Sequence, residues 1–173
     1  MGDIVDDPEK FRRGWVGGLP ETPCGSGSTL AATERQRRWI PQIVDRYGIR
    51  TIADIGAGDL NWMRRTPLPP GIEYRAFDLV PRAPGVEAFD ITASVPPRVD
   101  LLMCLWVVNH LTYPKAQAAL RNLRASGSRY LLMTDRPRWH AEQPPEIHMP
   151  YLEALELDTP GRDRLLLIEL PPC

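Results

Sequence analysis

A single α/β domain with a mostly parallel sheet and a C-terminal antiparallel hairpin is the fold this sequence predicts, on three observations. From Ile49 onward, short β-type runs alternate with turn or helix segments, the pattern of parallel strands joined by crossovers. The last two apolar runs, 151–157 and 165–170, are separated by Asp158-Thr159-Pro160-Gly161-Arg162-Asp163, turn chemistry that suits antiparallel neighbours. Finally, 173 residues allow one such domain and little else at ~100–200 residues per domain.

Taken in order, residues 1–28 carry Gly14, Gly17, Gly18, Gly25 and Gly27 with Pro20 and Pro23, which excludes a helix or central strand. Phe11, Trp15, Val16 and Leu19 give this stretch apolar anchors that a solvated tail does not need, so it reads as a lid. Residues 29–173 form the α/β core. Ser28 or Thr29 is placed to cap a helix running to about Tyr47, with Gly48 at its stop and Pro41 expected to kink or restart it. Strands are expected at 51–55, 73–78, 99–105 and 129–134, with a short one at 86–89. A helix is expected at 113–125, started by Pro114 and stopped near Gly127.

Composition narrows the function classes. With 43% hydrophobic and 25% charged residues the chain can bury a core and is not disordered. Lys+Arg at 21 against Asp+Glu at 22 leaves a net charge of −1, so no global field draws nucleic acid or anionic lipid, and polyanion binding must be local. Cys24, Cys104 and Cys173 form no CxxC pair, so neither a disulfide framework nor a metal site is indicated. The opening MGDIVDDPEK lacks a secretory pattern and no run approaches ~18 apolar residues. A cytoplasmic location without membrane attachment is expected.

The most informative stretch is Thr51-Ile52-Ala53-Asp54-Ile55-Gly56-Ala57-Gly58-Asp59-Leu60-Asn61-Trp62. A β-type run enters two glycines one residue apart, where backbone can approach a ligand closely; the same glycines also suit a tight strand exit alone. Asp78 lies 22 residues after Gly56 at the end of the next strand, where a carboxylate can accept both ribose hydroxyls of a nucleotide. Asn61 stands where a dinucleotide site has its third glycine, and Asp59 puts a carboxylate where pyrophosphate would sit, which disfavours NAD(P) and FAD. S-adenosylmethionine, with an ammonium and a sulfonium and no phosphate, is attracted by Asp54. Asp90 can accept from the adenine amino group or cap its own turn, and Leu79 and Ile91 can sandwich the ring.

These residues resemble class I S-adenosylmethionine-dependent methyltransferases over about 49–134, in DIGAG at 54–58, Asp78, Phe89-Asp90-Ile91, and VDLLMCLWVVNHL at 99–111. With WVGGLPETPCGSGS at 15–28 and SGSRYLLMT at 126–134, the chain looks most like small bacterial or phage-encoded members. The resemblance implies a Rossmann-like methyltransferase domain, S-adenosyl-L-methionine as cofactor and S-adenosyl-L-homocysteine as product. It implies a cofactor site of Asp54, Gly56, Ala57, Gly58, Asn61, Trp62, Asp78, Leu79, Asp90, Ile91 and Leu105, covered by the amino-terminal loop. Two departures stand out: Leu60 replaces a frequent glycine, and 136–150 leaves little room for the usual helix.

Methyl transfer from a sulfonium is an in-line displacement, so the protein mainly has to hold the acceptor on axis. The mouth after the fourth strand places His110 as a candidate base and Asn109 as a candidate orienting group, though both also suit local packing. LWVVNHL lacks the Asn/Asp-Pro-Pro-aromatic element of amino-directed DNA enzymes, and neither Cys24 nor Cys104 is placed as a cytosine nucleophile. Trp15, Trp106 and Trp139, with Arg136, Arg138 and His140, can stack and steer an unpaired base if they converge. A nucleobase in DNA is the expected acceptor; a small-molecule acceptor and a non-catalytic cofactor-binding role stay open.

Overall fold

Burial runs almost unbroken through the central strands, and it follows from apolar residues at consecutive positions with no turn former between them. The computed structural model describes residues 19–135, 151–157 and 163–171. Within them lie β1 (Thr51–Ile55), β2 (Glu73–Asp78), β3 (Val86–Ala88), β4 (Leu101–Cys104), β5 (Tyr130–Asp135), β6 (Tyr151–Glu156) and β7 (Arg164–Glu169). They form one sheet in the order β3-β2-β1-β4-β5-β7-β6. Strands β1 to β5 pair in parallel, and β7 is antiparallel to both β5 and β6. This is a Rossmann-like α/β fold with the expected terminal hairpin.

Among the described residues two α-helices cover the two faces. Ile40, Ile43 and Val44 of α1 (Glu34–Arg46) pack with Ile52, Leu101, Met103, Leu132, Leu165 and Leu167. Ala116, Ala119, Leu120 and Leu123 of α2 (Tyr113–Ala125) pack with Ala53, Ile55, Leu102, Cys104, Leu131, Leu166 and Ile168. Adjacent strand residues therefore belong to opposite cores, which is why β4 and β5 are apolar almost without interruption.

Several boundaries differ from the sequence expectation. Residues 29–33 are turns, and α1 starts at Glu34. The Thr29 hydroxyl accepts from the Ala32 N–H while the Thr33 hydroxyl donates to the Thr29 carbonyl, so the cap is spent on a separate turn. Pro41 does not restart the helix, which continues through it; the ring removes only the N–H that would have met the Arg37 carbonyl. The fourth strand begins at Leu101 instead of Val99, after Pro96 and Pro97. The β1–β2 connection contains only a 3-10 turn at Met63–Arg65, because Pro67, Pro69 and Pro70 deny it helical extension. The loop 136–150 and the hairpin tip 158–162 lie outside the described residues.

The parallel centre is pinned at its base by Asp100. One of its carboxylate oxygens accepts from the Arg50 and Thr51 N–H groups at 2.8 and 2.9 Å and from the Thr51 hydroxyl at 3.1 Å, tying the start of β1 to β4. Burial pushes this carboxyl up, but these donors outweigh it and hold it below its usual value. A carboxyl depressed in the fold stabilises above its unfolded pKa and loses that contribution as pH falls through the folded one. Asp100→Ala should lower stability at pH 7 by about 1–2 kcal/mol, and urea titrations should show the gap to wild type closing below about pH 4.

Candidate functional site

The chain leaves β1 through a turn that only residues without a Cβ can make at two points. Gly56 has φ +83 and Gly58 φ +62, in the left-handed region. A Cβ on Gly56 would lie 2.2 Å from Val107 Cγ2, and one on Gly58 2.9 Å from Cys24 Sγ. The N–H groups of Gly56 and Ala57 both donate to the Phe77 carbonyl at 2.7 and 3.0 Å, binding the turn to β2. Leu60 also has φ +62 yet is buried; its apolar burial opposes the strain of that backbone.

The turn orients the acid at the end of β2. One Asp78 oxygen accepts from the Gly58 N–H at 2.8 Å and the other from the Val80 N–H at 2.9 Å. Each oxygen keeps acceptor capacity for a further hydroxyl. Asp54, at 3% exposure, accepts from the Tyr74 hydroxyl at 2.6 Å. Burial and, to a lesser degree, Asp78 raise its carboxyl to about 7 against the lowering effect of Tyr74, and burial with the neighbouring Asp54 moves the Tyr74 phenol upward.

These groups line a cleft of about 600 Å³ beyond the carboxyl ends of the strands, at the switch point where β2 and β4 flank β1. Its size suits a small organic ligand, for which ~300–1,000 Å³ is usual. Asp54, Gly56, Ala57, Gly58, Trp62, Asp78, Leu79, Asp90, Ile91 and Leu105 all line it. Asp90 also holds its own turn, accepting from the N–H and hydroxyl of Thr92. Leu79 is exposed, whereas Ile91 is 5% exposed.

Asn61 is not among the lining residues; its amide donates to Glu21 at 2.8 Å and to the Ser28 carbonyl at 3.0 Å. Of the mouth residues, His110 and Trp106 line the cleft. Trp106 has φ +60, and its N–H donates to the Thr134 hydroxyl at 2.9 Å. Asn109 is not part of the lining, and both polar atoms of its amide are buried without a partner. Trp15 and Trp139, with Arg136, Arg138 and His140, fall outside the described residues.

Residues 24–28 of the amino-terminal segment form one wall of the cleft. Val107 and Leu111 of the 99–111 motif also line it, as do Arg82 and Asp163, which carried no pattern to mark them beforehand. Among the described residues, five carboxylates line it, Asp54, Asp59, Asp78, Asp90 and Asp163, with one guanidinium, Arg82. Burial, with a contribution from Asp54, pushes the Cys104 thiol up to about 12, and burial with Asp59 raises Cys24, so neither is a ready nucleophile. Among the described residues no group of three or more His, Cys, Asp or Glu is arranged to hold a metal ion. No helix among them is long and apolar enough to cross a membrane.

No protein-family model and no curated protein sequence matches the chain. Solved structures do match. The N-methyltransferase NodS from Bradyrhizobium japonicum, in complex with S-adenosyl-L-homocysteine, superposes with a TM-score of 0.69 over 94% of this chain and 97% of its own at 14% identity. Magnesium protoporphyrin IX methyltransferase ChlM from Synechocystis, with bound S-adenosylmethionine, gives 0.56 over 82% and 79% at 13% identity. The pyocyanin biosynthetic protein PhzM gives 0.60 at 14% identity over 82% of this chain, which spans only 56% of PhzM. These structural neighbours are class I methyltransferases, and the chain shares their fold.

Two substitutions test the site's construction. Gly56→Ala should strain the turn and collide with Val107, and thermal denaturation should show a loss of several degrees, while Gly27→Ala, which meets nothing within 4 Å, should not. Asp54→Asn separates burial from charge. A carboxyl raised in the fold contributes stability that is fully present below its unfolded pKa and lost as pH rises through about 7. The Asn variant should match wild type near pH 4 and be the more stable above pH 7, as read by melting temperature.

Proposed function

We propose that the protein is an S-adenosyl-L-methionine-dependent methyltransferase acting on a small neutral or cationic acceptor. The observation that carries this reading is the pair of acids at the ends of adjacent strands. Asp78 is held by the N–H of Gly58 in the turn and by that of Val80, and Asp54 is buried one strand over. A carboxylate with each oxygen fixed by one N–H suits a vicinal ribose diol. A buried, half-ionised carboxyl suits an ammonium, whose approach favours its charged form. The acidic lining attracts a sulfonium and repels a diphosphate.

With the cofactor in the cleft, the reaction it supplies is displacement of the methyl group from sulfur by an acceptor lone pair. This chain's contribution is alignment. Trp106 offers a flat apolar wall at the mouth, and His110 is the titratable group there able to take a proton from a protonated acceptor. Asn109 contributes from behind the mouth and not by contact.

The excess of carboxylates also selects the acceptor. A nucleobase in DNA brings phosphates to the mouth, where Asp163 and the other acids oppose them. The reading of a DNA base as acceptor is therefore the weaker one, although among the neighbours is a 16S rRNA methylase, RmtB (TM-score 0.54, 15% identity, covering 84% of this chain and 67% of its own).

Calorimetry with S-adenosyl-L-homocysteine should detect binding, weakened by about 1–3 kcal/mol in Asp78→Ala. Affinity for S-adenosyl-L-methionine should fall as pH drops below about 7, where Asp54 protonates, and Asp54→Asn should lose this dependence. Incubation with methyl-labelled cofactor should move label into a metabolite extract and not into acid-precipitable single-stranded DNA. A protein that binds neither form of the cofactor would overturn the proposal.

A further inference from the structure

The wall formed by residues 24–28 is internally braced, and its hold on the glycine turn converges on one carboxylate. Within this strap, Leu19 and Thr22 exchange two backbone hydrogen bonds at 3.1 Å. Thr22 is fully buried, and its hydroxyl accepts from the Cys24 N–H at 3.1 Å. The Ser28 N–H donates to the Gly25 carbonyl at 3.0 Å. These bonds shape the strap without joining it to the β1–β2 connection.

Two residues make that junction. One oxygen of Glu21 accepts from the Leu30 N–H at 2.6 Å and from the Asn61 amide at 2.8 Å. The same Asn61 nitrogen donates its second proton to the Ser28 carbonyl at 3.0 Å. Asn61 is itself held in the glycine turn, its N–H donating to Asp59 at 3.1 Å. Both amide protons are thus used on the strap, one at each end of the wall. The Cys24 sulfur lies against Gly58, 2.9 Å from where a Cβ there would stand.

We infer that Glu21 and Asn61 are positioning residues, a latch that holds the 24–28 strap against the glycine turn and thereby sets how long the cofactor stays bound. The inference rests on reading the cleft as the adenosyl-cofactor site. Neither residue need touch the cofactor: Asn61 is outside the lining, and so is Glu21. Opening the latch frees one wall while leaving Asp54, Asp78 and the sheet as they are. Charge-assisted bonds at these lengths are the stronger kind, and a two-ended clamp removes more freedom from a loop than either bond alone.

The test compares Glu21→Ala, Asn61→Ala, the double variant and Glu21→Gln. Stopped-flow dissociation of S-adenosyl-L-homocysteine should be about tenfold faster in each alanine variant, with the double variant adding little because both remove one device. Glu21→Gln should stay within about threefold of wild type, since its amide oxygen accepts both donors. Alkylation of Cys24 by iodoacetamide, resolved by peptide mass spectrometry without cofactor, should accelerate in the alanine variants and not in Glu21→Gln. This second readout does not require cofactor binding. Wild-type dissociation and Cys24 labelling in both alanine variants would overturn the latch and leave the cofactor assignment standing. A wild-type protein that binds no S-adenosyl-L-homocysteine would overturn the assignment and the latch's role in retention together.

Discussion

Two contacts on one turn hold the functional end of the molecule together. Val107 occupies the space a side chain on Gly56 would need, and Cys24 the space beside Gly58. The loop after β4 and the amino-terminal strap therefore both rest on the exit of β1, which is bonded to β2 through the Phe77 carbonyl. Three segments distant in sequence meet at residues that have no side chain to keep them apart. Left-handed backbone at Gly56 and Gly58 is the geometric condition for that meeting.

From this turn follows the electrostatics of the cleft. Its N–H groups face outward to Asp78 and to the Phe77 carbonyl, so the acid is oriented by backbone and not by a mobile counter-charge. Among the described residues, Asp54 accepts from the neutral hydroxyl of Tyr74, and burial leaves it poised near neutrality. Such a carboxyl is expensive to keep ionised in the empty fold and is favoured by an incoming cation. A site of this kind gives up some stability to gain discrimination for positive charge.

The unbroken burial of the central strands serves both faces of the sheet, and among the described residues one helix lies on each face. Each central strand contributes to both cores, so one helix on each face closes two hydrophobic layers. The β1–β2 connection is then free to carry Trp62 and the 3-10 turn in place of a helix.

Local chemistry was enough to determine the strand positions, the 113–125 helix and the terminal hairpin, since each depends on apolar runs and on Gly, Pro or Asp at their ends. The carboxylates at 54, 78 and 90 were legible too, because strand ends of a parallel sheet point to one edge. Asn61 was not: spacing placed it on the glycine turn, but only the path of the strap decided that its amide turns away from the ligand toward Glu21 and Ser28. Arg82 and Asp163 were equally hidden, one in a connection without periodicity and one brought in by the hairpin. The continuation of α1 through Pro41 was likewise decided by packing of Ile40, Ile43 and Val44 against the sheet, which outweighs one missing hydrogen bond. Short-range preferences are written in neighbouring residues, whereas the partner of a side chain depends on which distant segments the folded backbone brings within about 3 Å of it.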